Sequence, residues 1–408
     1  MNRLIIQNYK NVKPGLDIAS YYFHGYKHHM LETRQRAVVR TLWDQGRLSR
    51  WELHERTGLT PNNIGTIAET LLELGILREG IAEPSGAGRP RVPLEIDPTR
   101  RNVVGLALAR GHVEAGLVGL RGHPIGPPVT KSVDDPAKVI PTAAAMLKKI
   151  ITHETLAIGL SVTGFVDPSE HAVLLSSALP GKSGASLAPI YNAARDLPVV
   201  LGNDMHALVA RWLLTHRAGG QDILLVLIED GGLGAAMLID GRPNRGCVTG
   251  GNELGHTRFF VNTEKCFCGH EGCLERIVST DFLHRQRNGS NGSQTDTLLQ
   301  AANQFSGDLD LDPALGTILK YLACSLANTV TFVRPHRLVL VSSLMRSPAF
   351  CDALVRLIRA GVLAELADRV KIDFWDEPAA GSAETAGWLA LAELFFGGWG
   401  AEVSLAKS

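Results

Sequence analysis

The chain has 408 residues, of which 45% are hydrophobic and 20% are charged, and its formal net charge is zero. This length allows two or three domains with hydrophobic cores, and the composition is ordinary for a soluble globular protein. No apolar run reaches the roughly 20 residues that a membrane span needs, and residues 1–30 do not resemble a signal peptide. We therefore expect a cytoplasmic protein with no membrane contact.

Residues 1–30 form an N-terminal extension that is richer in basic than in acidic side chains. This composition fits either a basic arm that contacts a partner or a disordered segment. The sequence leaves both interpretations open.

Residues 31–96 carry the pattern of a winged helix-turn-helix domain. A helical apolar stripe over 38–43 predicts the first helix. Ser49 and Glu52 predict a capping box at the start of the second helix. Thr60 predicts the cap of a third helix that continues to Gly75. Two helices joined by a glycine-containing turn are typical of a helix-turn-helix, and strands predicted at 76–78 and 92–96 would flank a wing.

The third helix would present polar side chains that suit base edges, and the wing would present arginines that suit phosphates or a groove. The domain has as many acidic as basic residues, so a small helical bundle without a DNA role stays open as an alternative. Its basic residues are unevenly placed, however, and five lie close together at Arg34, Arg36, Arg40, Arg47 and Arg50. The predicted DNA-binding residues are Asn62, Asn63, Thr66, Arg89 and Arg91.

From residue 97 onward, predicted strands and helices alternate, which indicates an α/β protein of two lobes. We expect a first lobe at 97–202, completed by a C-terminal helix within 385–408, and a second lobe at 203–384. Ligands of such folds bind at the carboxyl ends of strands, where Asn203 and Asp204 follow a predicted strand. The same pair is also well suited to cap the next helix, so a purely structural role stays open.

Three of the six cysteines lie within eight residues, at Cys266, Cys268 and Cys273, and His256 stands ten residues before the first. Three thiolates and one imidazole complete a tetrahedral shell for Zn²⁺ and leave no position for a reactive water. The pattern predicts a structural zinc loop over 256–275, against the alternatives of free thiols or a disulfide. The loop would present carboxylates and an imidazole that suit hydroxyl groups.

The chain resembles the ROK family, a group of sugar-responsive repressors and sugar kinases. The resemblance rests on IGLSVTGFVDP at 158–168, ALPGKSGASLAPI at 178–190, VVLGNDMHALVARW at 199–212, LIDGRPNRGCVTGGNELGHTRF at 238–259 and the zinc loop. It implies a two-lobed actin-like (ribonuclease H-like) fold behind the helix-turn-helix domain. The presence of that domain resembles the repressor branch of the family.

The resemblance also implies a sugar site. Asp204 matches the general base of the kinases, and His256 resembles a histidine that gives one ring nitrogen to zinc and turns the other toward the sugar. Gly164 would let the backbone approach the sugar closely. The implied sugar-binding residues are Gly164, Asn203, Asp204, Glu253, His256 and Glu275.

The nucleotide contacts of the kinases are altered. The family's opening Asp-x-Gly-Gly-Thr corresponds here to residues 107–111, where side chains obstruct the backbone approach that a phosphate loop needs. A carboxylate stands in the second phosphate segment, and serines replace the glycines near the adenosine. The altered positions are Ala107, Ala109, Arg110, Asp230 and Ser342. We expect no ATP binding and no catalytic residue.

The sequence therefore predicts a sugar-responsive transcriptional regulator of carbohydrate metabolism. It would be a repressor that binds operator DNA as a homodimer or homotetramer, with a monosaccharide or sugar derivative as effector. The main alternative is a ROK sugar kinase that phosphorylates a hexose with ATP. A regulator that responds to a partner protein is a third reading, against which the intact sugar residues argue. The sequence leaves the sugar, the operator and the sign of the response open.

Overall fold

The computed structural model describes residues 31–82, 91–179, 184–216, 220–244, 251–260, 264–287, 296–376 and 382–397. The N-terminal extension, Arg89 and most of the expected wing lie outside the described residues. Among the helices that are described, none is long and apolar enough to cross a membrane.

The N-terminal part of the described chain is a three-helix head with a small antiparallel sheet. The helices are α1 (Thr33–Gln45), α2 (Arg50–Thr57) and α3 (Pro61–Glu73). The sheet has the order β1-β3-β2, with β1 at Leu48–Ser49, β2 at Leu77–Glu79 and β3 at Pro93–Ile96. The sequence did not indicate β1, because a strand of two residues has no periodicity to read.

The helix boundaries of the head follow the predicted capping signals. The Ser49 hydroxyl accepts from the N–H of Glu52, whose carboxylate accepts in return from the N–H of Ser49, as the capping box requires. Gly58 ends α2 in the left-handed conformation. Thr60 caps α3, with Pro61 as its first residue.

The first large sheet has five strands in the order β11-β7-β4-β5-β6. Strands β4 and β5 form the predicted hairpin, and β7 and β11 run parallel to β4. The edge strand β6 is proline-rich and was not predicted, because proline is tolerated only where a strand leaves one side unpaired. The bounds are β4 at Asn102–Ala109, β5 at His112–Gly119, β6 at Pro124–Ser132, β7 at Thr155–Val162 and β11 at Val199–Gly202.

A small antiparallel sheet follows β7, and helices cover one face of the first sheet. Its strands are β8 (Phe165–Asp167), β9 (Ala172–Leu175) and β10 (Ala185–Ser186). The helices are α4 (Pro136–Ile150) and α5 (Ala188–Ala193). Strand β11 runs directly into α6 (Asp204–Thr215).

The second large sheet repeats the strand order of the first. An antiparallel hairpin, β12 and β13, is extended on one side by β14 and on the other by two parallel strands, β15 and β16. Such duplication of a sheet is what a two-lobed actin-like fold requires. The bounds are β12 at Ile223–Glu229, β13 at Gly232–Ile239, β14 at Arg242–Pro243, β15 at Arg337–Val341 and β16 at Lys371–Trp375.

Helices also cover the second sheet, and the last described helix returns to the first. The covering helices are α7 (Thr280–Arg287), α8 (Leu298–Gln304), α9 (Pro313–Val333), α10 (Pro348–Gly361) and α11 (Ala364–Ala367). The last helix, α12 (Ala383–Phe396), lies directly on β4 and β7. A Cβ atom at Gly159 would come within 1.9 Å of the Ala386 carbonyl oxygen, so glycine is required for this close packing. The division into lobes at residue 202/203 stays a proposal.

Candidate functional site

A cleft of about 440 Å³ opens between the two large sheets. It is lined by the β4–β5 turn, the end of β7, the start of α6, the β12–β13 hairpin and the segment around the cysteines. The structure brings all six of the sequence-predicted sugar residues to this cleft: Gly164, Asn203, Asp204, Glu253, His256 and Glu275. Their role in binding stays a prediction, but the six residues line the same cleft.

The start of α6 resolves the two roles considered for Asn203 and Asp204. Asn203 is the N-cap, and its Oδ1 accepts from the N–H of His206 at 2.8 Å. Asp204 is the first residue of the helix, and its carboxylate lies in the cleft. Capping and site formation are therefore combined, because the cap of Asn203 fixes the point at which the Asp204 side chain leaves the backbone.

Asp204 is a carboxyl group with a raised pKa. Removal from water raises its pKa from 3.8 to about 6, and hydrogen bonds from the N–H of Met205 and the side chain of Thr163 only partly oppose this. An acceptor that is short of donors is a good partner for a hydroxyl group. Thr163 belongs to the SVTG segment that carries the family resemblance, but no spacing in the sequence pairs it with Asp204.

Glu253, His256 and Glu275 form a continuous polar wall of the cleft. The Nε2 atom of His256 lies 3.7 Å from Oε2 of Glu253, and its Nδ1 atom lies 3.7 Å from Oε1 of Glu275. Burial, together with the neighbouring Asp204 and Glu275 carboxylates, raises the pKa of Glu253 to about 7. The wall is therefore rich in acceptors, and these acceptors repel one another in the absence of donors.

Gly164 lies in the turn after β7 with a φ of 110°. A Cβ atom at this position would come within 2.2 Å of the Leu175 carbonyl oxygen. The close contact that requires glycine is therefore made with strand β9, although the residue also lines the cleft.

The three clustered cysteines and His256 converge on one point. Their donor atoms all lie within 4.8 Å of one another, and this group could hold a metal ion. Sγ of Cys268 lies 3.6 Å from Sγ of Cys273, and Sγ of Cys266 lies 3.6 Å from Nδ1 of His256. Tetrahedral Zn²⁺ with ordinary bond lengths would give edges of about 3.8 Å between two sulfurs and about 3.6 Å between sulfur and nitrogen. The donor set and its spacing therefore fit such an ion.

His256 connects this group with the cleft. Its Nδ1 atom is on the cysteine side, whereas its Nε2 atom is the one nearer to Glu253. Burial raises the pKa of Cys266, whose thiol donates to Oε1 of Glu275 at 2.8 Å. The group that could hold the metal is therefore in direct contact with two acidic residues of the cleft.

The positions that would serve a nucleotide in a kinase have local structural roles. The Asp230 carboxylate accepts from the backbone N–H of Thr280 at 2.6 Å and from its hydroxyl at 2.5 Å, at the start of α7. The Ser342 hydroxyl accepts from the N–H of Leu344 at 3.1 Å. Ala107 is buried within β4, while Ala109 and Arg110 reach the cleft.

The predicted DNA-binding residues form a separate group on the head. Asn62 and Thr66 are exposed on α3, opposite the buried Ile64 and Ile67. Asn63 is only half-buried, and its N–H donates to the Thr60 cap. This face of α3 is therefore open to solvent.

The basic residues of the head are less available than their sequence clustering indicates. Arg47 is paired with Glu95 at 2.6 Å, and Arg50 is paired with Glu79 at 3.0 Å. Arg91 is exposed, and its charge contributes to lowering the pKa of Glu52, after the larger effect of the hydrogen bonds with Ser49. Glu79 and Glu95 lie on strands β2 and β3, so the sheet of the head brings these carboxylates from distant chain segments to the arginines.

Two further side chains of the cleft were not identified from sequence. Lys265 and Phe267 flank Cys266 and line the cleft. Their position is set by the fold of the cysteine segment, so no spacing rule points to them.

A family model described as "ROK family" matches residues 110–394. The chain belongs to the ROK family. It is 25% identical over 345 residues to the DNA-binding transcriptional repressor Mlc of Escherichia coli strain K12. The alignment covers 78% of this chain and 82% of that relative. It is also 25% identical over 257 residues to a xylose repressor of Caldicellulosiruptor bescii, and this alignment covers 60% of this chain and 63% of that relative.

A solved structure of a ROK family transcriptional regulator, described as a homolog of E. coli Mlc, has the same fold. The TM-score is 0.70 at 21% identity, and the match covers 89% of this chain and 97% of that one. The predicted family and the predicted actin-like fold behind a helical head are confirmed. The family model begins at residue 110, so the head lies outside its match.

The raised pKa of Asp204 leads to a prediction about how the free energy of unfolding depends on pH. Because the folded-state pKa of about 6 exceeds the usual 3.8, ionisation of Asp204 costs folding free energy as pH rises from about 4 to 6, and the full cost persists above that range. Asp204→Asn keeps an acceptor for the N–H of Met205 and removes the charge. We expect the variant to be more stable than the unmodified protein at pH 7.5, by on the order of 1–2 kcal/mol.

The measurement is urea denaturation of both proteins at pH 7.5 and pH 4.5. The gain should largely disappear at pH 4.5, where the native carboxyl is protonated in the unmodified protein. Acid effects on groups away from the cleft are common to both proteins and cancel, whereas the repulsion of Glu253 by ionised Asp204 is removed together with the charge and belongs to the same gain. An equal gain at both pH values would show that ionisation of Asp204 is not its cause.

Proposed function

We propose that this chain is a sugar-responsive transcriptional repressor that acts in the cytoplasm. The head would bind operator DNA, and a monosaccharide or sugar derivative would bind in the cleft. The observation that carries this proposal is one contrast within the cleft. The acceptors that suit sugar hydroxyls stand together, whereas Asp230 and Ser342, at the nucleotide positions, bond to neighbouring backbone. The names of the relatives, repressors in both cases, support the same function.

The alternative function, a sugar kinase, is favoured by one observation. Asp204 has a raised pKa, which is a property of a general base that accepts a proton from an attacking hydroxyl. However, transfer of a phosphoryl group also needs close backbone contacts to the nucleotide phosphates, and Ala109 and Arg110 place side chains where the family's glycines would stand. We therefore propose that Asp204 serves as a sugar ligand and that the protein is not an enzyme.

We propose that the metal held by His256, Cys266, Cys268 and Cys273 is Zn²⁺, with a structural role. With four protein donors no coordination position remains for water, so the ion would supply only a cross-link. The protein residues orient the cleft side chains. The imidazole of His256 keeps its Nε2 atom on the Glu253 side, and the cysteine segment holds Glu275 beside the imidazole.

The zinc proposal is tested by metal analysis. Protein that is purified without a chelator should carry about one zinc ion per chain. The Cys268→Ser variant should lose most of this zinc, because three donors bind the ion far more weakly than four. Cys324→Ser, which changes an exposed cysteine on α9, is the matched control and should keep the metal. Absence of zinc from the unmodified protein would contradict the site.

Recognition of DNA would use the exposed face of α3. Asn62 and Thr66 are available for base edges, and Arg91 for phosphates. Because the helix-turn-helix reads half-sites about one helical turn apart when it is paired, we propose that the protein acts as a homodimer or homotetramer. The spacing between heads would then control operator affinity.

This assignment predicts two distinct effects on DNA binding. Asn62→Ala should weaken binding to a selected operator by about 1–3 kcal/mol and leave random DNA nearly unchanged, because it removes a base contact. Arg91→Ala should weaken both and reduce the salt dependence by about one unit of slope, because it removes a phosphate contact. Fluorescence anisotropy on selected and scrambled duplexes, with a salt titration, separates the two effects.

Each duplex is measured with and without sugars from a panel of monosaccharides and their phosphates. A sugar of the panel should change the affinity for the selected operator, and Asp204→Ala should abolish this change. If neither head variant alters binding, the head is a packing module. If no selected duplex is bound above random DNA, the proposed function fails.

A direct structural route joins the cleft to the head. Helix α6 begins at the cleft with Asp204, and its last turn lies about 18 Å away, beside α1. There the indole N–H of Trp43 donates to the carbonyl oxygen of Leu214 at 2.9 Å. A change of position at the first residue of a rigid helix would therefore reach the head.

The surroundings of Trp43 hold the head firmly on the first sheet. The guanidinium of Arg121 lies 4.7 Å from the centre of the Trp43 ring and donates to its carbonyl oxygen at 3.1 Å. The rings of Trp388 and Phe395, both on α12, lie 6.0 Å and 6.2 Å from that of Trp43. Buried residues of the head and of the first sheet form one continuous core.

The recognition helix is anchored to the same part of the molecule. Arg101 donates from Nε to the carbonyl oxygen of Leu74, just after α3, and from a terminal nitrogen to that of His153, just before β7. We propose that the head moves with the first sheet as one body. Effector binding would then change the distance between paired heads by moving the two sheets relative to each other.

The route predicts that Trp43→Phe uncouples the two sites. The variant keeps an aromatic ring in the core and loses the N–H that bonds to Leu214. We expect sugar affinity without DNA, and operator affinity without sugar, to stay within about twofold. The change in operator affinity on sugar binding should fall severalfold, since coupling is a free energy separate from either affinity.

Trp51→Phe is the matched control, because Trp51 belongs to the head, is exposed, and packs only against its neighbour His54 among the described rings. It should leave the coupling unchanged. A Trp43→Phe protein with undiminished sugar response would show that the signal takes another route.

A further inference from the structure

The segment around the cysteines alternates between the metal group and the cleft. Lys265 pairs with Glu271 in an isolated β-bridge, and the N–H of Cys266 donates to the carbonyl oxygen of His270 at 2.8 Å. The N–H of Gly269 donates in turn to the carbonyl oxygen of Cys266 at 3.0 Å, so Phe267 and Cys268 form the middle of a tight turn that follows the bridge. Cys266 is buried among the metal-binding donors, whereas Lys265 and Phe267 line the cleft.

Phe267 is a large apolar side chain that the protein covers only in part. The residue lines the cleft and is 39% exposed. The ring of His256 packs against it edge-to-face at 5.1 Å, so the ring is supported on one side while part of its surface stays open to the cleft. Its two neighbours along the chain, Cys266 and Cys268, belong to the metal-binding group, and the backbone that carries the ring is therefore held at both ends.

The acceptors described above lie in the same cleft. Glu253 and His256 can bind the hydroxyl groups at the edge of a sugar ring, but they offer nothing to its C–H faces. An aromatic ring suits such a face, because its π-electrons attract the slightly positive C–H groups and because contact removes apolar surface from water. Edge and face of one ligand would then be recognised by different residues.

We propose that Phe267 is a specificity-determining residue that packs against the C–H face of a cyclic sugar effector. The inference rests on the proposed function and extends it to the class of ligand: a pyranose with a face free of axial hydroxyl groups. An open-chain polyol carries the same hydroxyl groups but has no rigid face. The site therefore selects for the ring as well as for the hydroxyls.

The experiment begins with the unmodified, zinc-loaded protein and calorimetric titration. The probes are D-glucose, D-xylose, D-mannose, D-galactose, N-acetyl-D-glucosamine and the 6-phosphates of the hexoses, each followed by the corresponding polyol. The tightest cyclic sugar is then titrated into variants at position 267. Phe267→Ala should weaken binding of the sugar by about tenfold or more, and Phe267→Trp should stay within about threefold.

The affinity for the polyol should change by less than about twofold in Phe267→Ala, because an open-chain polyol has no rigid C–H face that could pack against the ring. The matched control is Phe260→Ala, because Phe260 is 82% exposed and does not line the cleft. It should leave the sugar affinity unchanged. In Phe267→Trp, sugar should alter the fluorescence of the new indole, whereas Phe260→Trp should show no such signal.

Zinc content separates ligand contact from support of the metal group. Loss of sugar affinity with zinc retained supports the inference. Unchanged sugar affinity in Phe267→Ala, or loss of affinity only together with zinc, overturns it while the proposed function stands. Failure of every probe to bind the unmodified protein contradicts the proposed function, and the inference with it.

Discussion

Helix α6 is the element on which the other functional parts depend. Its start is fixed by the Asn203 cap, which sets where the Asp204 carboxylate enters the cleft. Its middle is buried, with Leu208 and Val209 in the core of the second sheet, while its surface also packs on α12 of the first. Its last turn accepts the hydrogen bond from Trp43. A single rigid helix thus touches both sheets, the cleft and the head.

The carboxyl groups of the cleft are costly to ionise, and this cost bears on the proposed function. Burial raises the pKa of both Asp204 and Glu253, and the neighbouring Asp204 and Glu275 carboxylates raise that of Glu253 further, so these carboxyl groups ionise at a cost near neutral pH. Under the proposed function, a ligand with several hydroxyl groups would donate to these carboxylates and would therefore gain more there than in water. If the gain is larger when the sheets approach each other, ligand binding shifts the arrangement of the lobes.

On the nucleotide side of the cleft, the positions that would serve a nucleotide in a kinase hold local structure instead. Asp230 now holds the start of α7 through Thr280, and Ser342 holds the turn after β15 through Leu344. Both side chains satisfy backbone donors that would otherwise be unpaired, which makes them useful to the fold. The proposed sugar contacts are supported by the cysteine segment and α6.

The sequence by itself determined what depends on near neighbours in the chain. The capping box at Ser49, the start of α3 at Thr60 and the cysteine cluster follow from short spacings, because a cap or a metal loop is completed within a few residues. Only the tertiary structure decided what depends on distant segments. The pairing of Arg47 with Glu95, the bond from Trp43 to Leu214 and the exposure of Phe267 to the cleft join or orient residues through packing. Periodicity and spacing describe one element at a time, whereas these contacts are set by how the sheets and helices pack together.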